Sequence, residues 1–235
     1  MVPRIETVFQ DAELTLRWLP GRTRRMVVVF TGLKHRFGGQ PLDEFARSAA
    51  GRAGNGVLFV TDRRGTWFSA PYLWRRIVGM VTETRDSEGM TEVISIGNSM
   101  GGFGALLLAR DMRVARAIAF APQVSMDRGL LDDARWPDVA ARWGHLPARS
   151  AAEAVGVSRT GFYLIAGAEC AEDVAHLNLM PETRRVTRWL VPGAGHSIAR
   201  RLKEAGRLHR VVSALVRGRR AEADGLLAGF GQVAA

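Results

Sequence analysis

Two short runs in the first third of the sequence are apolar at almost every position, and they restrict the possible folds more than any other feature. Met26 to Thr31 reads MVVVFT, and Val57 to Thr61 reads VLFVT. Consecutive apolar residues in a strand indicate that both of its faces are buried, which is typical of a parallel sheet covered by helices on each side. Both runs are therefore predicted to be interior strands of such a sheet.

Strand and helix patterns alternate along the rest of the chain, with no internal repeat and no low-complexity linker. This alternation predicts a single α/β domain over residues 1–235, with a mostly parallel twisted sheet and helices on both faces. Residues 122–160 are irregular and contain several prolines and glycines, and they are interpreted as a short lid or insert. Further strands are predicted at 13–19 (an edge strand), 92–96, 115–121, 162–166 and 184–190, and helices at 73–84, 102–112, 172–180 and 197–216.

The cysteine content and the lack of long apolar segments predict a cytoplasmic protein. Cys170 is the only cysteine, so no intrachain disulfide is possible and a reducing compartment is favoured. The N-terminal residues lack the apolar core of a secretory signal, and no apolar run approaches the roughly 18 residues of a membrane span. No integral membrane segment is therefore expected.

The net charge of +10 comes almost entirely from arginine, since Lys34 and Lys203 are the only lysines. A basic protein can bind nucleic acid, an anionic membrane surface or an acidic substrate. Here the arginines are scattered, and no zinc-finger spacing, RNP-like aromatic pattern or basic-region heptad accompanies them. The excess is interpreted as the codon bias of a GC-rich genome, and no nucleic-acid partner is expected.

The predicted strand at 92–96 runs into the turn Gly97-Asn98-Ser99-Met100-Gly101-Gly102, and a predicted helix follows. A G-x-S-x-G sequence between a strand and a helix is typical of a sharp turn that lifts the serine hydroxyl above the sheet. Such a turn excludes bulky neighbours, and the three glycines meet that requirement. Ser99 is the predicted nucleophile; the alternative is a structural turn with a surface serine.

A serine hydroxyl needs a base that takes its proton. In chains with this motif the order is serine, acid, histidine, and the histidine lies in the loop after the last strand. Of the five histidines only His196 occupies that place, in the small-residue sequence Pro192-Gly193-Ala194-Gly195-His196. His196 is therefore the predicted base, and the alternative is a helix-capping or surface histidine.

The third member of a triad is a carboxylate that fixes the imidazole tautomer, and it is expected after the preceding strand. Glu169, Glu172 and Asp173 all lie there. Asp173 is preferred because it opens a predicted helix, where free N–H groups stabilise an anion. Glu169 is the rival, since it lies nearer the strand end and has a longer side chain. Asp173 also suits the role of a helix N-cap.

Two backbone amides are expected to form an oxyanion hole, those of Met100 and Leu33. Asp62, Arg63 and Trp67 follow the strand VLFVT at the sheet edge where open α/β sheets bind ligands, and they are possible substrate-binding residues. A solvated loop with a packed tryptophan is the other interpretation of that segment. No histidine–carboxylate spacing indicates a metal site, and no cofactor is expected.

With these residues placed, the chain resembles the α/β-hydrolase superfamily over nearly its whole length. The resemblance implies Ser99, Asp173 and His196 as the triad. The sequence departs from the Gly-x-x-Asp motif of many hydrolases, which would place the acid at Cys170, and it has Thr31-Gly32 where the usual oxyanion loop has His-Gly. A narrower set of phrases is similar to bacterial hydrolase-like proteins associated with surface polysaccharide or glycosyltransferase systems: Phe30-Thr31-Gly32, Asp62 to Trp67, Gly97 to Ala105, Phe120-Ala121-Pro122-Gln123 and Arg135-Trp136.

The sequence therefore predicts a serine hydrolase that cleaves the carboxylic ester of a small molecule or an acylated sugar through an acyl-enzyme. Two alternatives remain open at this point. One is an acyltransferase that passes the acyl group to a glycan hydroxyl, and the other is a non-catalytic partner protein that retains the fold.

Overall fold

The two apolar runs form neighbouring parallel strands inside the main sheet. A computed structural model describes residues 4–33, 36–37, 40–41, 43–136, 138–228 and 230 of the chain. In the first of the two strands, Met26, Val28 and Phe30 point into one hydrophobic core, and Val27 and Val29 point into another on the opposite face. Both faces are therefore covered, as the uninterrupted apolar pattern predicts.

Within the described residues the main sheet has eight strands in the order β1-β2-β6-β3-β7-β8-β9-β10, and β4 pairs with β5 separately. All neighbours in the main sheet are parallel except that β2 runs antiparallel to both β1 and β6. The strands are β1 (Glu6–Gln10), β2 (Leu14–Leu19), β3 (Arg25–Phe30), β4 (Arg36–Phe37), β5 (Gln40–Pro41), β6 (Gly56–Asp62), β7 (Glu92–Asn98), β8 (Arg116–Phe120), β9 (Gly161–Gly167) and β10 (Val186–Val191).

Helices cover both faces of this sheet. Residues of α2, α3 and the insert share one core, and residues of α1, α7, α8 and α9 share the other. The helices are α1 (Ala46–Ala50), α2 (Leu73–Ser87), α3 (Met100–Asp111), α4 (Val139–Trp143), α5 (Glu153–Val157), α6 (Ala171–Asn178), α7 (Ile198–Glu204), α8 (Leu208–Val216) and α9 (Arg220–Ala228).

Two predicted elements differ from the structure. The predicted edge strand at 13–19 is β2, which lies between β1 and β6, so β1 is the edge. The sequence of β1 has no apolar face, and its residues are mostly exposed. The predicted helix at 197–216 is two helices, because Gly206 between them has φ +68°. The N–H of Arg207 bonds to the carbonyl of Leu202 at 2.8 Å, which closes α7 in a Schellman-type turn.

The insert at 122–160 is packed against the domain. Its helix α5 contacts α3, and Val139, Ala151 and Val155 are buried in the same core as α2 and α3. In the part of the chain that the structure describes, no helix is long and apolar enough to cross a membrane.

Candidate active site

Ser99 lies in a strained turn between β7 and α3. Its φ of +54° and ψ of −120° are a conformation that residues with a side chain rarely adopt. The glycines around it have no space for a side chain: a Cβ on Gly97 would lie 2.1 Å from the carbonyl oxygen of Gly101, and a Cβ on Gly101 would lie 2.1 Å from that of Phe30. Gly97 is therefore required by the turn itself, whereas Gly101 is required by the close approach of α3 to β3.

A continuous chain of hydrogen bonds joins the three predicted triad residues. Nε2 of His196 lies 3.1 Å from Oγ of Ser99, and its Nδ1 lies 2.9 and 3.0 Å from the two carboxylate oxygens of Asp173. Asp173 is fully buried, whereas His196 is partly exposed. The order and spacing match a nucleophile, a base and an acid that orients the base.

Each member reaches the site from the carboxyl end of a parallel strand. His196 follows β10 in a loop that passes closely over the end of β9, where a Cβ on Gly167 would lie 2.0 Å from the carbonyl oxygen of Ala194. Asp173 lies in the first turn of α6 after β9. Its rival Glu169 points elsewhere, since its carboxylate accepts the N–H of Gly193 at 3.1 Å. The structure thus brings Asp173, and not Glu169, to His196.

The acid also contacts the insert, which the sequence did not indicate. Nη2 of Arg135 donates to Oδ1 of Asp173 at 3.0 Å and to Oδ2 of Asp133 at 2.6 Å. Burial raises the pKa of Asp133, but the hydrogen bonds and charge of Arg135 outweigh it and hold that pKa below its usual range. His176 is fully buried with Nε2 3.2 Å from Asp133, and burial lowers the pKa of this imidazole.

Gln123 is a second unpredicted contact, on the nucleophile side. This fully buried side chain accepts the indole N–H of Trp67 at 3.2 Å, and the same oxygen lies 3.3 Å from Oγ of Ser99. The serine hydroxyl therefore has two acceptors within reach, His196 and Gln123. Gln123 belongs to the phrase Phe120-Ala121-Pro122-Gln123, and that phrase was the only sequence signal pointing to it.

A cavity of about 550 Å³ opens directly at Ser99 and His196. Leu33 lines it, and Met100 opens α3, so both predicted oxyanion amides belong to segments beside the nucleophile. The first N–H groups of a helix have no acceptor within the helix, which suits the amide of Met100 to this role. The other lining residues are Asp43, Glu44, Phe45, Asn98, Trp136, Ser197, Ala199, Arg200, Lys203 and Leu208.

The three predicted substrate-binding residues do not line this cavity. The carboxylate of Asp62 accepts the N–H groups of Gly65, Thr66 and Phe68, so it shapes its own loop. Arg63 donates to a backbone carbonyl of the β1–β2 turn, and Trp67 is fully buried. The tryptophan is packed, as the alternative interpretation has it, but the loop is not solvated, since Asp62, Thr66 and Phe68 are buried as well.

The two aromatic residues of the insert have different surroundings. Trp136 lines the cavity, and its ring centroid lies 5.6 Å from that of His196. Trp143 packs beneath the guanidinium of Arg64, whose carbon lies 4.3 Å from the ring centroid. Of these two tryptophans, Trp136 alone lines the cavity.

Among the described residues, no cluster of three or more His, Cys, Asp or Glu side chains is placed to hold a metal ion. Cys170 is a free thiol beside α6. Burial raises its pKa, which disfavours the thiolate that a nucleophile requires.

Comparisons with known proteins give structural likeness only. The sequence matches no protein-family model. No curated protein matches it either. Similar solved structures include an α/β serine hydrolase homologue from Coxiella burnetii, with a TM-score of 0.57 and 14% identity over 93% of this chain and 98% of that one.

Two further similar structures carry names that state an activity. The capsule O-acetyltransferase of Neisseria meningitidis serogroup A has a TM-score of 0.62 and 14% identity, over 86% of this chain and 93% of that one. The Pyrobaculum calidifontis esterase has a TM-score of 0.58 and 16% identity, over 95% of this chain and 86% of that one. Together with the strand order, these likenesses show that the chain has the α/β-hydrolase fold.

Proposed function

We propose that this chain, with its α/β-hydrolase fold, is a serine-dependent hydrolase of carboxylic esters. The observation that carries the proposal is the unbroken hydrogen-bond chain from Ser99 through His196 to Asp173. A partner protein that only retained the fold would have no need of a strained serine, a histidine at 3.1 Å and a buried carboxylate behind it.

The geometry supports an acyl-enzyme mechanism. Oγ of Ser99 attacks the ester carbonyl carbon while its proton passes to Nε2 of His196. The tetrahedral intermediate then expels the alcohol, which takes that proton and leaves the acyl group on Oγ. Water then attacks the acyl carbon while its proton passes to Nε2 of His196. The bond from the acyl carbon to Oγ breaks, Oγ takes the proton back from His196, and the carboxylic acid leaves. Asp173 keeps Nδ1 of His196 protonated throughout, so that Nε2 faces Ser99 as the acceptor.

Backbone amides complete the proposed site. The carbonyl oxygen becomes negatively charged in the tetrahedral intermediate and needs fixed donors. We assign these to the N–H groups of Met100 and Leu33. The positive end of α3 adds to the stabilisation of this charge.

The lining of the cavity bears on the substrate. The lining is mixed, with polar or charged side chains from Asp43, Glu44, Asn98, Arg200 and Lys203 and apolar ones from Leu33, Phe45, Trp136, Ala199 and Leu208. Such a lining suits a small ester that has both an apolar acyl group and a hydroxyl-bearing part, such as an acylated sugar. The same lining favours acyl transfer as a second candidate, because it can bind a glycan hydroxyl that replaces water as the acceptor. In the proposal the protein acts in the cytoplasm, without a cofactor, and binds no nucleic acid.

The test is labelling by a fluorophosphonate followed by intact-mass measurement, together with hydrolysis of p-nitrophenyl acetate. The wild type is expected to gain one adduct and to release p-nitrophenol. Ser99→Ala is expected to do neither while keeping the wild-type circular dichroism. Ser87→Ala, at the exposed end of α2, is the matched control and is expected to behave as wild type. An unlabelled, folded wild type would contradict the proposal.

Adding a sugar acceptor separates the two candidate reactions. If acetylated sugar accumulates at the expense of free acetate, the acyl-enzyme is resolved by transfer. If the ratio of acetate to p-nitrophenol stays at one with any acceptor tried, hydrolysis is the reaction.

A further inference from the structure

Two consecutive residues of the insert touch the acid and the base of the proposed triad. Arg135 donates from Nη2 to Oδ1 of Asp173 at 3.0 Å. The ring of Trp136 lies against the ring of His196, with 5.6 Å between centroids. Both contacts come from residues outside the strands and loops that carry Ser99, Asp173 and His196.

The guanidinium of Arg135 is held in a fixed orientation. Its Nε and Nη2 donate to the two carboxylate oxygens of Asp133 at 2.9 and 2.6 Å, which is the bidentate geometry that orients an arginine most firmly. The backbone N–H of Arg135 donates to the same carboxylate at 3.1 Å. Asp133 is itself almost fully buried. Arg135 therefore meets Asp173 as a pre-oriented donor.

Asp133 is in turn anchored to the helix that carries the acid. Its Oδ2 lies 3.2 Å from Nε2 of His176, which follows Asp173 by three residues and so lies on the same face of α6. His176 and Asp173 both have no exposed surface. The insert thus contacts α6 at two side chains, His176 and the proposed catalytic Asp173.

We propose that Arg135 is a positioning residue that fixes the carboxylate of Asp173 against His196, and that the insert thereby completes the triad. The inference rests on the proposed function. With His196 as its sole side-chain donor, the carboxylate of Asp173 could rotate about its terminal torsion, because that torsion is broad. A second donor on Oδ1 leaves one orientation, in which Asp173 faces Nδ1 of His196.

The orientation that Arg135 imposes on Asp173 favours catalysis, whereas its positive charge opposes it. A guanidinium beside Asp173 weakens the attraction of that carboxylate for a protonated His196. Orientation and charge can be separated by experiment, because a lysine at position 135 keeps the positive charge but not the fixed pair of guanidinium donors. Arg135 also faces the exposed carboxylate of Glu172, 3.9 Å from its Nη1, and the thiol of Cys170, whose Sγ accepts a hydrogen bond from Nη1 at 2.9 Å.

Two variants are needed. Arg135→Met removes both the orienting donors and the positive charge, and Arg135→Lys keeps the charge without the planar pair of guanidinium donors. With p-nitrophenyl acetate, Arg135→Met is expected to lower kcat on the order of 10²-fold, the scale of a misplaced catalytic group. KM should change little, because Arg135 is not a lining residue of the cavity. The pH profile of kcat should change as well, because the positive charge beside Asp173 is removed. Arg135→Lys should restore the profile and part of kcat.

The matched control is Arg149→Met. Arg149 belongs to the same insert and pairs with Asp127 at 2.6 Å, but it has no contact with the triad, so kcat and the pH profile should stay as in the wild type. Arg135→Met leaves Asp133 buried beside one histidine, and the protein could lose its fold for that reason alone. The double variant Arg135→Met/Asp133→Asn removes the uncompensated charge and should show the same loss of kcat in a folded protein.

A readout that needs no turnover keeps this inference separate from the proposed function. The proton on Nδ1 of His196 should give a low-field NMR resonance in the wild type and in Arg135→Lys, and it should broaden or move upfield in Arg135→Met. An unchanged resonance overturns the positioning role whether or not the protein hydrolyses esters. With an active wild type, an Arg135→Met protein of unchanged kcat and pH profile overturns it too, and the proposed function then stands.

Discussion

The turn that carries Ser99 is built from six consecutive residues, Gly97 to Gly102, whereas the contacts on Asp173 come from residues 23 and 38 positions away. Around the serine, glycines remove the side chains that would clash, and backbone geometry does the rest. Around the aspartate, a base from the β10 loop and an arginine from the insert converge on one carboxylate. The proposed nucleophile is positioned largely by the glycines of its own turn and the proposed acid by tertiary packing, so substitutions on the two sides should fail in different ways.

The largest effect is expected at the nucleophile itself. Ser99→Ala should lower kcat for p-nitrophenyl acetate on the order of 10⁶-fold, as for other serine triads. Its Tm should remain close to that of the wild type, since alanine keeps the same strained backbone and loses one hydroxyl. Steady-state kinetics measure the loss of kcat, and thermal unfolding of the same preparation measures the Tm. Turnover above about 10⁻² of wild type would place the reaction elsewhere.

Next in size is the acid. Asp173→Asn should lower kcat on the order of 10⁴-fold, because an amide no longer holds the correct tautomer of His196. Glu169→Gln should stay near wild type, since its contact is the N–H of Gly193. Kinetics of the two variants at matched folding decide the matter. A crippled Glu169→Gln beside a normal Asp173→Asn would reverse the assignment.

A glycine substitution tests whether the serine turn is specified locally. Gly97→Ala places a Cβ 2.1 Å from the carbonyl oxygen of Gly101, inside the same turn, and should destabilise the fold by about 3 kcal/mol, the upper range for overpacking. Gly79→Ala, in the interior of α2 with open space around it, should instead stabilise by about 1 kcal/mol. Denaturant unfolding measures both, and equal effects of the two changes would refute the steric argument.

The strain at Ser99 gives a smaller effect of opposite sign. Ser99→Gly, unlike Ser99→Ala, lets the residue adopt φ +54° without a Cβ and should raise the free energy of unfolding by about 1 kcal/mol. Activity is lost in both variants. A Tm for Ser99→Gly at or below that of Ser99→Ala would mean that the turn stores no strain.

The smallest effect is expected in the free energy of unfolding at acid pH, through Asp133. The pKa of Asp133 is lowered in the folded protein by Arg135, so this group contributes stability above its unfolded pKa, and that contribution is lost as the pH falls through the folded value. The stability gap between wild type and Asp133→Asn should therefore shrink between about pH 5 and pH 3. Urea midpoints at several pH values measure it, and a constant gap would contradict the ion pair's role.

Much of the fold was readable because burial leaves a pattern in consecutive residues. The apolar runs of β3 and β6 predicted interior strands, and the alternation around them predicted a mostly parallel sheet. The edge strand β1 was missed because it buries no face and so has no pattern to detect. The break between α7 and α8 depends on Gly206 at positive φ, which the amphipathic pattern across it obscured.

At the site, the sequence by itself predicted the serine turn and the place of the histidine, because each depends on residues next to one another in the chain. It favoured Asp173 over Glu169 and Glu172 from its place in a predicted helix, but only the packing of α6 decides which carboxylate reaches His196. Only the tertiary structure brought Arg135, Trp136 and Gln123 to the triad, and it withdrew Asp62, Arg63 and Trp67 from the cavity. These contacts join residues tens of positions apart, and such contacts leave no periodic trace in a single sequence.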